Sequence, residues 1–542
     1  MEKAERTVAE LILDQLSLFG VKRIYGVVGD AIFGLIDALA RQDKIKFIAV
    51  KHESTAAFMA SAEAKLTGSL AVCTATMGPG VANLLNGLGD AYADKAPVLV
   101  ITGQAPRNKI GTAFKQYVNQ QELVKPFASY SENLASQDAI IELLQKAAQT
   151  SMGQRAVSHL SIPKDLFEKI VAVKPRPLPA VIEGVSTFTK ESLEQATTIM
   201  KTAKRPMILA GAGSAVAPEA VEELAEVWGA GILTSLGGKG LFNESSPNLL
   251  QGIGEGGNPH APEVFKKADV VLLSGTTWWP EGYVPTDARI IQIDKHFDKI
   301  EKGIPTELGI TGETQEVIPL LIEGLQGFQR SEDWITSCRE IKEKWTQQNE
   351  QEGSTAGYPA YPSRIVRAID QTVAADAILT LDTGNVTIWM NRNFRPQKEQ
   401  AVLFSGYWRT MGFGLPAAMA AKLEKPEKQV VAVVGDGGLQ MTLADLLTAS
   451  RYELNITVVV MNNHALQMER DKLKAEGGKE VGVELTNPDF VKVAEACGWK
   501  GFRPESDTDL ESVLQEALNT NSPALVDIRT EQAAFPESKQ GK

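Results

Sequence analysis

The stretch VVAVVGDGGLQMTLADLLTASRYELNITVVVMNN, residues 430–463, constrains the fold of this chain more than any other. Val430 to Val434 is an unbroken apolar run of the kind that forms a strand buried on both faces, and a second run covers Ile456 to Met461. The turn Gly435-Asp436-Gly437-Gly438 and a helix expected near Leu439 to Arg451 join them into one βαβ unit. Such a crossover is right-handed, so Asn463 returns to the same sheet edge as Asp436, and neighbouring parallel strands lie about 4.8 Å apart. One cation can touch both side chains.

A carboxylate and an amide oxygen form a hard-oxygen donor set. Mg²⁺ takes one or two protein carboxylates and completes its octahedron with phosphate oxygens and water. Gly437 and Gly438 would let backbone N–H groups approach an anion at a helix start, where the dipole favours negative charge. Taken alone, GDGG also fits an ordinary tight turn of a doubly wound sheet; the pair Asn462-Asn463 at the end of the next strand separates the two readings. Together, Asp436-Gly437 and Asn462-Asn463 resemble the thiamine diphosphate signature. That resemblance implies a metal held by Asp436, Asn463 and the backbone carbonyl of Ala465.

A thiamine enzyme also needs an acid that hydrogen-bonds the aminopyrimidine ring, so that the adjacent amino group becomes basic enough to remove the C2 proton. Glu53 follows the strand expected over Lys46 to Val50 and opens an Ala-rich helix. By itself it reads as a solvated first-turn acid. Its surroundings say more. YGVVGD, KHE, the run AKLTGSLAVCTATMGPGVANLLNGLGDAYADKAPVLVITGQ and the GDG…NN pair resemble, in the same order and over nearly the whole chain, the pyruvate oxidase and acetolactate synthase group. KRIYGVVGDAIFGL, PTDARIIQID and NPDFVKVAEACG are similar in particular to the pyruvate oxidase type, which includes the quinone-linked bacterial pyruvate dehydrogenase. The resemblance implies that Glu53 is the activating acid and that Met411, in WRTMGFGLP, props the coenzyme in its bent form. It also implies a homodimer at minimum, with a homotetramer common, in which Glu53 faces the partner subunit's Asp436.

Two extended linkers, at Lys174 to Pro179 and Gly353 to Pro362, divide the chain into blocks of alternating strand and helix. The expected fold class is therefore α/β, with three doubly wound parallel-sheet domains at 1–175, 190–330 and 355–535. The first and third resemble the pyrimidine-binding and diphosphate-binding domains of the family. A net charge of −12 argues against a nucleic-acid partner. Cys73, Cys338 and Cys497 lie far apart without metal spacing, which fits a reduced cytoplasm. No cleavable leader, apolar run of membrane-spanning length or amphipathic membrane tail is expected.

The middle block decides the fate of the decarboxylated substrate. LAGAGSAVAPEA is a poor NAD fingerprint because Val216 stands where Gly or Ala is needed. GGKGLFNESSPNLLQGIG, ADVVLLSGTTWW and ARIIQID are similar to flavin-contacting segments, so FAD is expected near Gly211, Gly213 and Asp294, while Trp278-Trp279 departs from the family pattern and could close the groove. In the substrate loop FKQYVNQQELVKPF, Lys115-Gln116 stands where the family has Phe-Gln, and Phe114 could replace the aromatic only by a one-residue shift. Glu469 and Arg470 read as a solvated helix face. The expected function is thiamine diphosphate- and Mg²⁺-dependent decarboxylation of a small 2-oxo acid, by default pyruvate, in an oxidase with FAD. The alternatives are an acetolactate synthase-like carboligase and, from another class, a non-catalytic scaffold, against which the trio Glu53, Asp436 and Asn463 argues.

Overall fold

The computed structural model describes residues 6–179, 188–277, 283, 285, 287–397 and 399–536. Apolar β-branched runs form buried strands, and they assemble into three six-stranded sheets. Every pairing inside these sheets is parallel, as long helical crossovers require. The fold is α/β, as expected. In the middle domain the strands include Pro206–Ala210, Val270–Ser274 and Arg289–Asp294.

Numbered in chain order within each sheet, the strands of the N-terminal sheet lie in the order second, first, third, fourth, sixth, fifth. The C-terminal sheet repeats that order, whereas the middle sheet runs third, second, first, fourth, fifth, sixth. The middle order reverses between Pro206–Ala210 and Val270–Ser274, which creates a crevice at the carboxyl ends of those two strands.

The helix expected near Leu439 to Arg451 starts earlier and breaks. It runs Asp436–Thr442, tightens to a 3₁₀ turn at Leu443–Asp445, and resumes at Leu446–Arg451. The early start needs glycine, because a Cβ on Gly438 would lie 2.7 Å from Cγ of Asp382. At the break, the Asp445 carboxylate accepts from Thr448 Oγ1 at 2.7 Å and, across the domain boundary, from Thr55 Oγ1 at 2.7 Å and Lys51 N–H at 2.9 Å.

The N- and C-terminal domains share a core. Helix Glu53–Thr67 packs between Pro79–Ala93 and Gly414–Glu424, with the rings of Phe58 and Phe413 edge-to-face at 6.1 Å. Buried Arg23 reaches Glu63 at 3.0 Å and Glu424 at 2.9 Å, tying the same boundary together. Among the described residues, no helix is long and apolar enough to cross a membrane. The three cysteines are free thiols.

Candidate active site

The C-terminal sheet brings the signature residues to one edge. Gly435 pairs with Met461 across strands Val430–Gly435 and Thr457–Asn462, so Asp436 and Asn463 leave adjacent strands almost level. Asp436 opens its helix, is 2% exposed, and accepts the Gly437 N–H at 3.1 Å. Burial pushes its carboxyl up, against hydrogen bonds from Asn487, Gly437 and the His464 backbone. The chain then turns sharply: His464 takes φ +57°, a costly conformation for a non-glycine residue, and Ala465 N–H donates to Asn463 Oδ1 at 3.1 Å. Among the described residues, no three His, Cys, Asp or Glu side chains cluster to hold a metal. The donors at this edge are instead one carboxylate, one amide oxygen and backbone carbonyls, a set that suits Mg²⁺ completed by phosphate oxygens.

Gly437 and Gly438 lie in the first turn of the helix that Asp436 opens, where free backbone N–H groups suit an anion. A Cβ at Gly437 would meet Met411 Cε at 3.1 Å and Leu466 Cδ2 at 3.0 Å, so Met411 lies directly against this turn. Asp382, which no sequence motif marks, accepts N–H groups from Thr383 at 2.7 Å, Gly412 at 2.9 Å and Gly414 at 3.3 Å. It binds the Met411 turn to the floor beneath Gly438, and burial pushes its carboxyl up to about 6. From the other side, Asp94 accepts the N–H groups of Gly406 and Tyr407 at 2.8 Å each, and Asn86 holds Trp408 Nε1 at 2.9 Å.

Glu53 stands at the edge of the N-terminal sheet as the first residue of its helix, only 9% exposed rather than solvated. Asn83 Nδ2 donates to its Oε2 at 3.0 Å, and a Cβ on Gly80 would lie 3.3 Å from its Oε1. Two residues earlier, Gly78 at φ +65° has Gln116 against it: a Cβ there would lie 2.4 Å from the Gln116 carbonyl oxygen. The structure thus brings Gln116 to the Glu53 edge. Phe114 and Tyr117 anchor this loop by packing on Ala31, Met77 and Ala105, which leaves no reason for a one-residue shift. Lys115 stays 72% exposed, 4.0 Å from Asp30, which Lys164 also approaches at 3.5 Å. Among the described residues, Glu53 is hydrogen-bonded by Asn83 and Asp436 by Gly437 and Asn487, and no hydrogen bond joins the two acids' groups.

In the middle domain, Gly211 N–H and Gly213 N–H donate to the carbonyls of Ser274 and Gly275, both at 2.9 Å. A Cβ on Gly213 would lie 2.7 Å from the Gly275 Cα, so these glycines let two turns interlock and their N–H groups face protein rather than a phosphate. Asp294 Oδ1 accepts from His296 N–H at 2.9 Å, and burial raises its carboxyl. The two glycines are thus spent on packing backbone against backbone at the strand-order reversal. Trp278 and Trp279 lie outside the described residues.

Arg470 corrects another expectation. It is 5% exposed, bonded to Gln532 Oε1 at 2.6 Å and paired with Glu480 at 3.0 Å, while Gln532 Nε2 donates to the Asn463 carbonyl at 2.8 Å. The chain beyond the last strand folds back over the helix and buries its inner face. Glu469 is exposed, as expected.

This sheet pair and edge chemistry define a class. The N-terminal TPP-binding, central and C-terminal TPP-binding domain models of thiamine pyrophosphate enzymes match residues 6–123, 193–321 and 382–528. The chain belongs to the thiamine pyrophosphate (thiamine diphosphate) enzyme family, in its pyruvate oxidase and acetolactate synthase branch. It is 35% identical to the "Putative thiamine pyrophosphate-containing protein YdaP" of Bacillus subtilis (strain 168), over 97% of this chain and 92% of the relative. Acetolactate synthase isozyme 1 large subunit of Escherichia coli (strain K12) is 28% identical over 98% and 95%. Pyruvate oxidase of Lactiplantibacillus plantarum is 27% identical over 95% and 87%.

Proposed function

We propose that this enzyme uses thiamine diphosphate and Mg²⁺ to decarboxylate a small 2-oxo acid, by default pyruvate, and passes the electrons to FAD in the middle domain. The observation that carries the reading is the convergence of Asp436, Asn463, Gly437 and Met411 on one sheet edge. Asp436, Asn463 and the Ala465 carbonyl would hold the metal, and the N–H groups of Gly437 and Gly438 would receive the diphosphate. The coenzyme supplies a carbon nucleophile and an electron sink, which a side chain cannot provide. Glu53 holds the proton at the aminopyrimidine ring, and the Asn83 amide fixes the carboxylate that does so. Met411, which lies against the Gly437 turn, would support the coenzyme there, and Gln116 would orient the substrate carbonyl. In this reading a homodimer completes the site, as the family resemblance implies, with Glu53 of one chain facing the partner subunit's Asp436 and a homotetramer as the expected cytoplasmic form.

FAD rests on the strand-order reversal of the middle sheet and on the likeness to a pyruvate oxidase. Acid-released supernatant should then contain FAD stoichiometric with the chain, and pyruvate added without oxygen should bleach it. Protein that stays colourless after reconstitution with FAD refutes the oxidase reading.

An acetolactate synthase-like carboligase is the second reading, favoured by the likeness to an acetolactate synthase and by a cation at Lys115. Acetolactate made from pyruvate under anaerobic conditions, with bound flavin that never bleaches, would select it. A scaffold role predicts no calorimetric binding of thiamine diphosphate in Mg²⁺.

A further inference from the structure

The first asparagine of the Asn462-Asn463 pair does not face the metal donors. Its Nδ2 donates to Asp527 Oδ1 at 2.9 Å, and its Oδ1 accepts from Asn487 Nδ2 at 2.7 Å. The same Asn487 nitrogen donates to Asp436 Oδ2, also at 2.7 Å. Gln440, one turn beyond Asp436 on the same helix face, donates to Asn487 Oδ1 at 2.7 Å. The network continues through Asp527 to Arg503 at 2.7 Å. Both donors of the Asn487 amide, and its acceptor, are therefore engaged, and the amide has one orientation.

We infer that Asn487 is the positioning residue of the metal site: by holding one oxygen of Asp436 while Gly437 N–H holds the other, it sets the rotation of the carboxylate before any cation arrives. The χ2 torsion of an aspartate is broad and roughly two-fold, so a carboxylate held at one oxygen alone can swing. With Asn487, Gly437 and the His464 backbone bonded to it, the carboxylate keeps one of its four lone-pair sites for a cation at this edge. Asn462 and Gln440 then act through Asn487, which explains why the strand ends in two asparagines when one would supply a ligand. This inference rests on the proposed Mg²⁺ and thiamine diphosphate site.

The test uses the whole protein with Mn²⁺ as a paramagnetic probe, in the presence of thiamine diphosphate. Outer-shell partners of metal ligands are typically worth about 10- to 100-fold in metal affinity. Asn487→Ala should weaken Mn²⁺ binding by about that factor, and excess Mg²⁺ should restore full coenzyme loading. Asn487→Ser, which keeps one donor, should fall between wild type and Asn487→Ala. The melting temperature of each variant without ligands should match wild type. Mn²⁺ affinity of Asn487→Ala within about twofold of wild type, while Asp436→Ala binds none, overturns the inference and leaves the metal site intact. So does coenzyme loss that excess Mg²⁺ fails to restore, or a lowered ligand-free melting temperature, since either marks a purely structural residue. Wild type that binds neither Mn²⁺ nor coenzyme overturns the proposed function itself.

Discussion

The N- and C-terminal sheets share one strand order yet carry different chemistry at the same edge. After the second strand, the N-terminal sheet places Glu53 and the C-terminal sheet places the loop to Met411. After the third come the Gly78-Pro79-Gly80 turn in one and Asp436-Gly437-Gly438 in the other. After the fourth come the Lys115-Gln116 loop and the Asn463 to Leu466 loop. In both, the edge acid opens a helix and an asparagine amide holds one of its oxygens, Asn83 on Glu53 and Asn487 on Asp436. A repeated backbone thus offers equivalent ledges, and under the proposed function the side chain at each ledge would divide the labour: a proton-handling acid on one sheet, a metal-holding acid on the other.

Exchanging the acids tests that division. The largest effect is expected for Asp436→Ala: no turnover, and loss of Mg²⁺-coupled coenzyme binding, because the diphosphate is left uncompensated at the turn. Calorimetry showing wild-type affinity in excess Mg²⁺ would remove Asp436 from the metal. Glu53→Gln should behave differently, losing about 10² to 10⁴ in turnover while keeping much of its coenzyme affinity, since an amide cannot shuttle the ring proton. If the two variants lose binding and turnover in the same proportion, the sheets do not divide the work.

Lys115→Phe sharpens the comparison at the fourth-strand ledge. Lys115 is 72% exposed in the single chain; only where a bound substrate desolvates it would its ammonium favour an extra carboxylate, phosphate or sulfonate by about 1.5 to 3 kcal/mol. The variant should therefore lose roughly 10- to 100-fold in kcat/KM for such a compound while sparing pyruvate. Equal losses across a panel of 2-oxo acids and anionic aldehydes would show that Lys115 selects nothing.

The smallest effect is a pair of opposed pH responses in stability. Asp382, beneath the C-terminal edge, is raised by burial from 3.8 to about 6, so the folded state binds its proton more tightly than the unfolded chain. Its contribution is fully present below the lower value and is lost as pH rises through the higher. His159, buried in the N-terminal sheet between Thr102 and Ser131, is lowered by burial from 6.5 to about 3. Its contribution is present above the higher value and is lost as pH falls through the lower. Relative to wild type, Asp382→Asn should gain melting temperature as pH rises from 4 to 6, and His159→Gln should gain it as pH falls from 6 towards 3. Parallel melting curves for a variant and wild type across its window would contradict that assignment.

The sequence by itself determined the parallel α/β class, because unbroken apolar runs such as Val430 to Val434 tolerate burial on both faces only inside a helix-covered sheet. It also determined the donor types at the edge, since the spacing of Asp436 and Asn463 is local to one βαβ unit. The tertiary structure alone decided which polar residues hold the acids. Asn487 lies 51 residues from Asp436, Asn83 lies 30 from Glu53, and Asp382 meets Gly412 across 30, distances over which no helical or strand period repeats. Arg470 followed the same rule: its helix is polar enough to read as solvated, and the distant Gln532 and the Glu480 segment that the fold lays beside it engage its guanidinium. Periodicity reports which face of an element avoids water, whereas a hydrogen-bond partner is chosen by whatever segment the fold lays beside it.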